Sequence, residues 1–224
     1  PKYLNIFGDN ITSITIPKSV SEIACDSNYL LVRYGELEES AFNPFQCKNL
    51  KRIIVEEGNV NFKAIDGILY KKNKDSESGA ETLSLFVCPQ SIEKEDIVVP
   101  SNVTGISAGA FKECETIKTV TLPDGVGGFS TQTFYGCGNL EKVTMNVTGI
   151  DVGAHAFGGC KKLTDISNVH VRNVGRVGFG GCEKLEYVNI TGATIGEKAF
   201  SGCSGLKKIP EKIERIEESA FILC

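Results

Sequence analysis

Six cysteines, Cys114, Cys137, Cys160, Cys182, Cys203 and Cys224, follow one another at intervals of 23, 23, 22, 21 and 21 residues. Each stands three residues after a phenylalanine: Phe111, Phe134, Phe157, Phe179, Phe200 and Phe221. A fixed period in this range is the signature of a solenoid, in which one short unit is stacked repeatedly on itself. Aliphatic residues recur three and six positions after the cysteines, as in Ile117 and Val120, Leu140 and Val143, Leu163 and Ile166, Leu185 and Val188, Leu206 and Ile209. The resulting Leu-x-x-Ile-x-Ile pattern reads as a strand with one face turned inward. A second inward pair precedes each phenylalanine, for example Val103 and Ile106, or Val171 and Val174, so that each coil has two short extended legs. Pro17, Pro100, Pro123 and Pro210 fall at or just after strand ends, where the missing N–H and fixed φ make corners.

A coil of about 22–23 residues exposes apolar surface on both sides and needs neighbours to cover it. Stacking at the usual strand spacing of about 4.8 Å places equivalent residues in ladders, so the core is a column and not a ball. The expected fold is an α/β repeat protein: a right-handed, β-rich solenoid of roughly nine or ten coils with short helical or 3-10 turns around the A-F-x-x-C segments. It occupies 1–224 as one domain, with regular cysteine-ladder repeats over 101–224. Upstream, Cys47, Leu50, Ile53 and Val55 form another copy, and Cys25 lies 22 residues before Cys47. From Cys47 to Cys114 the period lapses for 67 residues. The stretch 56–100 reads as irregular repeats with a hairpin-like insertion, in which 71–81 (KKNKDSESGAE) is polar enough to be its flexible loop.

The copies of AF-x-x-C-x-x-L-x-x-I-x-I-P followed by V-x-x-I resemble the BspA-like, Treponema-type leucine-rich-repeat family along nearly the whole chain. The irregular stretch fits too, since Asn59, Phe62, Asp66, Gly67, Leu69, Tyr70 and Pro89 follow that family's N-x-x-F-x-x-x-D-G-x-L-Y segment and its later proline. Thr133 and Gly178 depart from the alanine before the phenylalanine, and Phe42 is five residues from Cys47 instead of three. The resemblance implies a secreted or cell-surface protein, adhesin-like and non-enzymatic, whose partner is a protein such as a host extracellular-matrix or surface component. Fold-level likeness of this kind licenses a class and not a ligand. The alternatives are a structural spacer or stalk within a larger surface protein and, more remotely, a cysteine-dependent enzyme.

Alternation along the strands turns the x positions outward. The candidate ligand-contact face is therefore Arg52, Thr119, Thr121, Lys142, Thr144, Asp165, Ser167, Tyr187, Asn189 and Lys208, with Tyr187 its one aromatic residue. Cys47 and the six Phe–Cys pairs from Phe111–Cys114 onward form the structural ladder. Free cysteine packs as a small hydrophobe, so the ladder thiols are expected to be buried and free, with Cys88 and Cys224 the more reactive. No C-x-x-C pair supports a structural zinc site, no cofactor is expected, and only His155 and His170 could serve a thiol nucleophile. A net charge of −4 gives no basic footprint for nucleic acid, and no apolar run reaches the roughly 18 residues of a membrane-spanning helix. The last coil stops in mid-repeat, which suggests a longer protein or end-to-end self-association.

Overall fold

The computed structural model describes residues 6–7, 10–23, 29–33, 36–40, 45–74, 79–166, 168–192, 194–209 and 212–224. Cys25, Phe42, Ser167 and Pro210 lie outside the described residues. Among the described residues the chain is a β-solenoid of about six turns, against the nine or ten coils expected over its whole length. Part of the difference is the segment 62–87, which forms an antiparallel meander instead of coils. Strands Phe62–Ile65, Ile68–Lys74 and Glu81–Val87 pair in order, and Val103–Ile106 joins the last of them in parallel.

The sheet formed by these strands stands between two cores. Leu69, Phe86 and Val87 pack with Ile14, Ile16, Cys47, Leu50 and Ile53, while Ile68, Tyr70, Leu83 and Leu85 begin the long core that runs on to Ala220. Two-sided burial explains the near-continuous apolar run Leu83-Ser84-Leu85-Phe86-Val87. Asn59 clips the sheet to the preceding coil: its side-chain N–H groups donate to the carbonyls of Pro17 and Val20, and its Oδ1 accepts from the N–H groups of Asn61 and Phe62. Every hydrogen-bonding group of that buried amide is thus satisfied. The polar stretch read as a loop is strand as far as Lys74, because Lys71, Lys72, Asn73 and Lys74 pair with Ser84, Leu83, Thr82 and Glu81. Lys72 donates to the Asn59 carbonyl and Asn73 to the Ser84 hydroxyl, giving polar residues partners on that strand.

Beyond residue 96 the two legs of each coil stack in parallel. Asp96–Val98, Thr119–Thr121 and Lys142–Thr144 form one three-stranded sheet, in which Asp96, Thr119 and Lys142 are level. The other legs, Gly128–Phe129, Thr148–Val152, His170–Val174, Thr194–Ile195 and Arg215–Ile216, form a second sheet. Inside, Phe111, Phe134, Phe157, Phe179, Phe200 and Phe221 stack face to face, with ring centroids 4.8–5.3 Å apart and planes within 16° of parallel.

The turns around A-F-x-x-C are neither helical nor 3-10; among the described residues there is no helix. Their amides alternate in partner. In the coil around Phe134, the N–H groups of Thr133, Tyr135 and Cys137 close three-residue turns onto Ser130, Gln132 and Phe134, whereas those of Gln132, Phe134 and Gly136 donate to Ala154, Ala156 and Gly158 of the next coil. A helix would direct every N–H along one axis, so taking every second one for the neighbouring coil excludes it. The alternation requires a left-handed residue on each side of the phenylalanine. The earlier position holds Gly109, Gln132, His155, Val177, Lys198 and Ser219, and the later holds Glu113, Gly136, Gly159, Gly181, Gly202 and Leu223.

Candidate functional site

The outward residues expected to form one face are divided among three sheets. Arg52 lies in a two-stranded pairing of Ser13–Ile16 with Arg52–Val55, and its Nε donates to the Ser13 hydroxyl. Thr119, Thr121, Lys142 and Thr144 share the three-stranded sheet, which a bridge from Lys142 extends to Asp165. Asn189 belongs with the other column of legs: the strand Asn189–Ile190 pairs with His170–Val171, and the Asn189 amide lies 3.0 Å from His170 Nδ1. Tyr187 and Lys208 sit outside strands, and both are exposed.

Charge along this face is largely neutralised between coils. Lys51 meets Glu93 at 2.5 Å, Lys94 meets Asp66, Lys118 meets Glu95, and Lys142 meets Asp165, the last three each at 2.7 Å. Thr119 donates to Asp96. Exposed pairs of this kind contribute at most about 1 kcal/mol apiece, but they leave little uncompensated field for a ligand. The exception lies near residue 209. A groove of about 640 Å³ is lined by Tyr187, Ile190, Lys207, Lys208, Ile209 and Lys212, among others. Lys207 pairs with Glu186 at 2.7 Å, whereas Lys208 and Lys212 make no ion pair among the described residues. Tyr187 is 42% exposed and Ile209 57% exposed, so aromatic and aliphatic surface lies beside these two lysines. Of these, Tyr187 and Lys208 are outward positions of the repeat pattern in the sequence. Lys212 and the groove itself are not legible there, because Lys212 lies beyond the strand pattern.

The ladder cysteines do something that packing alone does not require. The thiols of Cys137, Cys160, Cys182, Cys203 and Cys224 donate to the carbonyls of Phe111, Phe134, Phe157, Phe179 and Phe200, each in the preceding coil, over 2.9–3.2 Å. Each of those carbonyls already accepts the N–H of the cysteine in its own coil, so the thiol fills the second lone pair. A sulfur at this position therefore ties coil to coil while remaining small and apolar. Cys114 and Cys88 make a variant of the link: the Cys114 thiol lies 3.4 Å from the Pro89 carbonyl and 3.6 Å from that of Cys88. Cys88, expected to be reactive, is fully buried, because two-sided burial of the strand before it carries it inward; Cys224 is exposed. Burial pushes the thiols of Cys114, Cys137, Cys160 and Cys182 well up from the ordinary cysteine range. The hydrogen bond with Cys182 draws Cys203 the other way, yet Cys203 too is sealed from solvent.

The repeat geometry coincides with a known family. The BspA type leucine rich repeat region matches residues 84–207 and 173–224, together well over half of the chain. The chain belongs to the BspA-type leucine-rich repeat family. Among solved structures it is similar to a leucine-rich repeat protein from Eubacterium ventriosum (24% identity, TM-score 0.62, covering 95% of this chain and 58% of that one). It is also similar to a leucine rich cell surface protein from Faecalibacterium prausnitzii (25%, 0.67, 92% and 48%) and to the pneumococcal vaccine antigen PcpA (21%, 0.64, 94% and 46%). The chain thus spans about half the length of these proteins. No curated protein matches it significantly.

Where this BspA-type chain departs from the repeat pattern, packing supplies the reason. Thr133 replaces alanine without an unsatisfied hydroxyl, since its Oγ1 donates to the Ser130 carbonyl at 2.8 Å. At Gly178 a Cβ would stand 2.7 Å from Val174 Cγ1, so alanine does not fit there unless Val174 shifts. Among the described residues no helix is long and apolar enough to cross a membrane.

Proposed function

We propose that this BspA-type repeat is a non-enzymatic, protein-binding, adhesin-like module of a secreted or cell-surface protein, and that it holds its ligand along the outward face around Tyr187. The observation that carries the reading is the groove beside Tyr187, where aromatic and aliphatic side chains come together with two lysines, Lys208 and Lys212, that make no ion pair among the described residues. Aromatic residues are enriched at the cores of interfaces, and a groove of this volume lies in the range of ligand-binding clefts. The cell-surface description of the Faecalibacterium prausnitzii protein supports the location. Arg52, Thr119, Thr121, Lys142, Thr144, Asp165 and Asn189, which lie in three sheets and outside the groove lining, are proposed as secondary contacts of an extended ligand.

A spacer or stalk is the second reading, favoured by the self-neutralised stretch from Lys118–Glu95 to Lys142–Asp165. A cysteine enzyme is disfavoured at Cys137, Cys160 and Cys182, whose thiols are raised in pKa by burial and bonded to backbone carbonyls, the reverse of an activated thiolate. The test is capture of extracellular-matrix and host-surface proteins on immobilised protein, repeated with Tyr187→Ala. A ligand retained by the unmodified protein and lost by the variant supports the proposal; a ligand held equally by both, or none held at all, defeats it.

A further inference from the structure

We infer that the groove at Tyr187, Lys208 and Lys212 takes an acidic, extended segment of a protein partner, one that offers two carboxylates beside an apolar side chain. The inference rests on the protein-binding reading and adds the chemistry of the partner to it. Its basis is the charge arrangement: Lys51, Lys94, Lys118, Lys142 and Lys207 each face a carboxylate of this chain, whereas Lys208 and Lys212 make no ion pair among the described residues and share one groove with Tyr187 and Ile209. In a chain of net charge −4 the local excess is not a by-product of overall composition. Groove dimensions and lining then select among anions. A polynucleotide or a sulfated polysaccharide is bound by a track of cations matched to its repeating charges. Here the groove holds three lysines, one of them already committed to Glu186, and the nearby face is neutral. Tyr187 and Ile209 add apolar surface that a bare polyanion would leave exposed and that a peptide side chain would cover. Carboxylates over Lys208 and Lys212, with an apolar side chain against Tyr187 and Ile209, satisfy both features at once.

The test is fluorescence anisotropy with a short fluorescein-labelled peptide of alternating glutamate and leucine, against the same peptide with glutamine in place of glutamate. The protein is compared with the double variant Lys208→Glu, Lys212→Glu and with Lys63→Glu, an exposed lysine on another strand; circular dichroism and thermal melting verify that all three fold alike. Saturable binding of the glutamate peptide is expected, weakened about tenfold or more in the double variant, little changed in Lys63→Glu, and falling as salt is raised. Equal binding of the glutamine peptide, no loss in the double variant, or no binding at all would overturn the inference. So would preferential binding of heparin or of a DNA oligonucleotide at the same lysines. A concentration-dependent dimer, seen by sedimentation and abolished by the double variant, would assign the groove to a second copy of this chain instead. Loss of ligand capture in Tyr187→Ala alongside an indifferent peptide assay would leave the protein-binding reading standing and remove only the acidic partner.

Discussion

Phe157 lies at the centre of the aromatic column, and its truncation gives the most direct measure of what holds the coils together. Its ring is 1% exposed and stacks on Phe134 at 5.2 Å and on Phe179 at 5.1 Å, with Phe129 edge-on at 4.8 Å. Phe157→Ala removes the ring from a site walled on both faces by neighbouring coils, which can collapse only by breaking their own hydrogen-bonded spacing. The transfer and cavity terms for such a change amount to about 3–5 kcal/mol, and the lost aromatic pairs, each worth about 0.5–1.5 kcal/mol, place the expected cost towards the upper end. Phe221 belongs to the same ladder; among the described residues it stacks on Phe200, at 5.3 Å, and it is half-buried. Phe221→Ala should therefore cost about 1–2 kcal/mol. The chain has no tryptophan, so urea unfolding is followed by circular dichroism and by the fluorescence of its 6 tyrosines. The expected result is a midpoint lowered far more by Phe157→Ala than by Phe221→Ala. Equal losses at the two sites, or a loss at Phe157 below about 1 kcal/mol, would refute the argument that stability comes from a continuous column.

Val177 holds a left-handed conformation, φ 54°, that is costly for a β-branched side chain, so Val177→Asn should raise stability by about 1 kcal/mol and move the thermal midpoint upward; a fall would mean that packing of the valine outweighs its strain. Cys160→Ala should cost about 1–2 kcal/mol, because it withdraws the second hydrogen bond from the buried Phe134 carbonyl and leaves a small void, and an unchanged unfolding midpoint would show that the thiol bond contributes nothing. In the native protein a maleimide should label Cys224 quickly and Cys88, Cys114, Cys137, Cys160 and Cys182 only on unfolding, whereas rapid labelling of any of these five would contradict their burial. Because the folded-state pKa values of Cys114, Cys137, Cys160 and Cys182 are raised, the unfolded chain loses those protons first. Stability is then complete below the ordinary thiol range and falls as pH rises above about 8.5, by up to about 1.4 kcal/mol per pH unit for each thiol. Cys160→Ser should reduce that slope by about one proton's worth, and an identical slope in the variant would count against the linkage.

Much of this structure was legible because repetition multiplies weak signals. A single Phe-x-x-Cys means little, but six of them at one period define which residues must lie level with one another, and with that the stacked core and the family. The period of 2 in Leu-x-x-Ile-x-Ile likewise separated inward from outward residues. What the period does not encode is where an amide sends its hydrogen bond. Helical turns were a reasonable expectation for short A-F-x-x-C segments, yet alternate N–H groups are taken by the next coil, which exists only in the stack. The same contacts force Gln132, His155, Val177, Lys198 and Ser219 into left-handed backbone that their own preferences oppose, so no local propensity could have revealed it. Lys71–Lys74 read as loop because they are polar, and they are strand because Glu81–Val87 lies beside them.

The candidate site divides in the same way. Tyr187 and Lys208 were visible as outward positions of a strand pattern, whereas their grouping with Lys212 and Ile209, and the pairing of Asn189 with His170 in the other column of legs, depend on how the chain leaves one coil and enters the next. Residue type and spacing thus determined which side chains lie inside and which outside, since burial of apolar surface depends on the residue itself and its periodicity. Only the tertiary structure decided which charges are cancelled by the coil above or below and which find no ion-pair partner among the described residues, because Coulomb energy depends on distances between residues some twenty positions apart that no local pattern records.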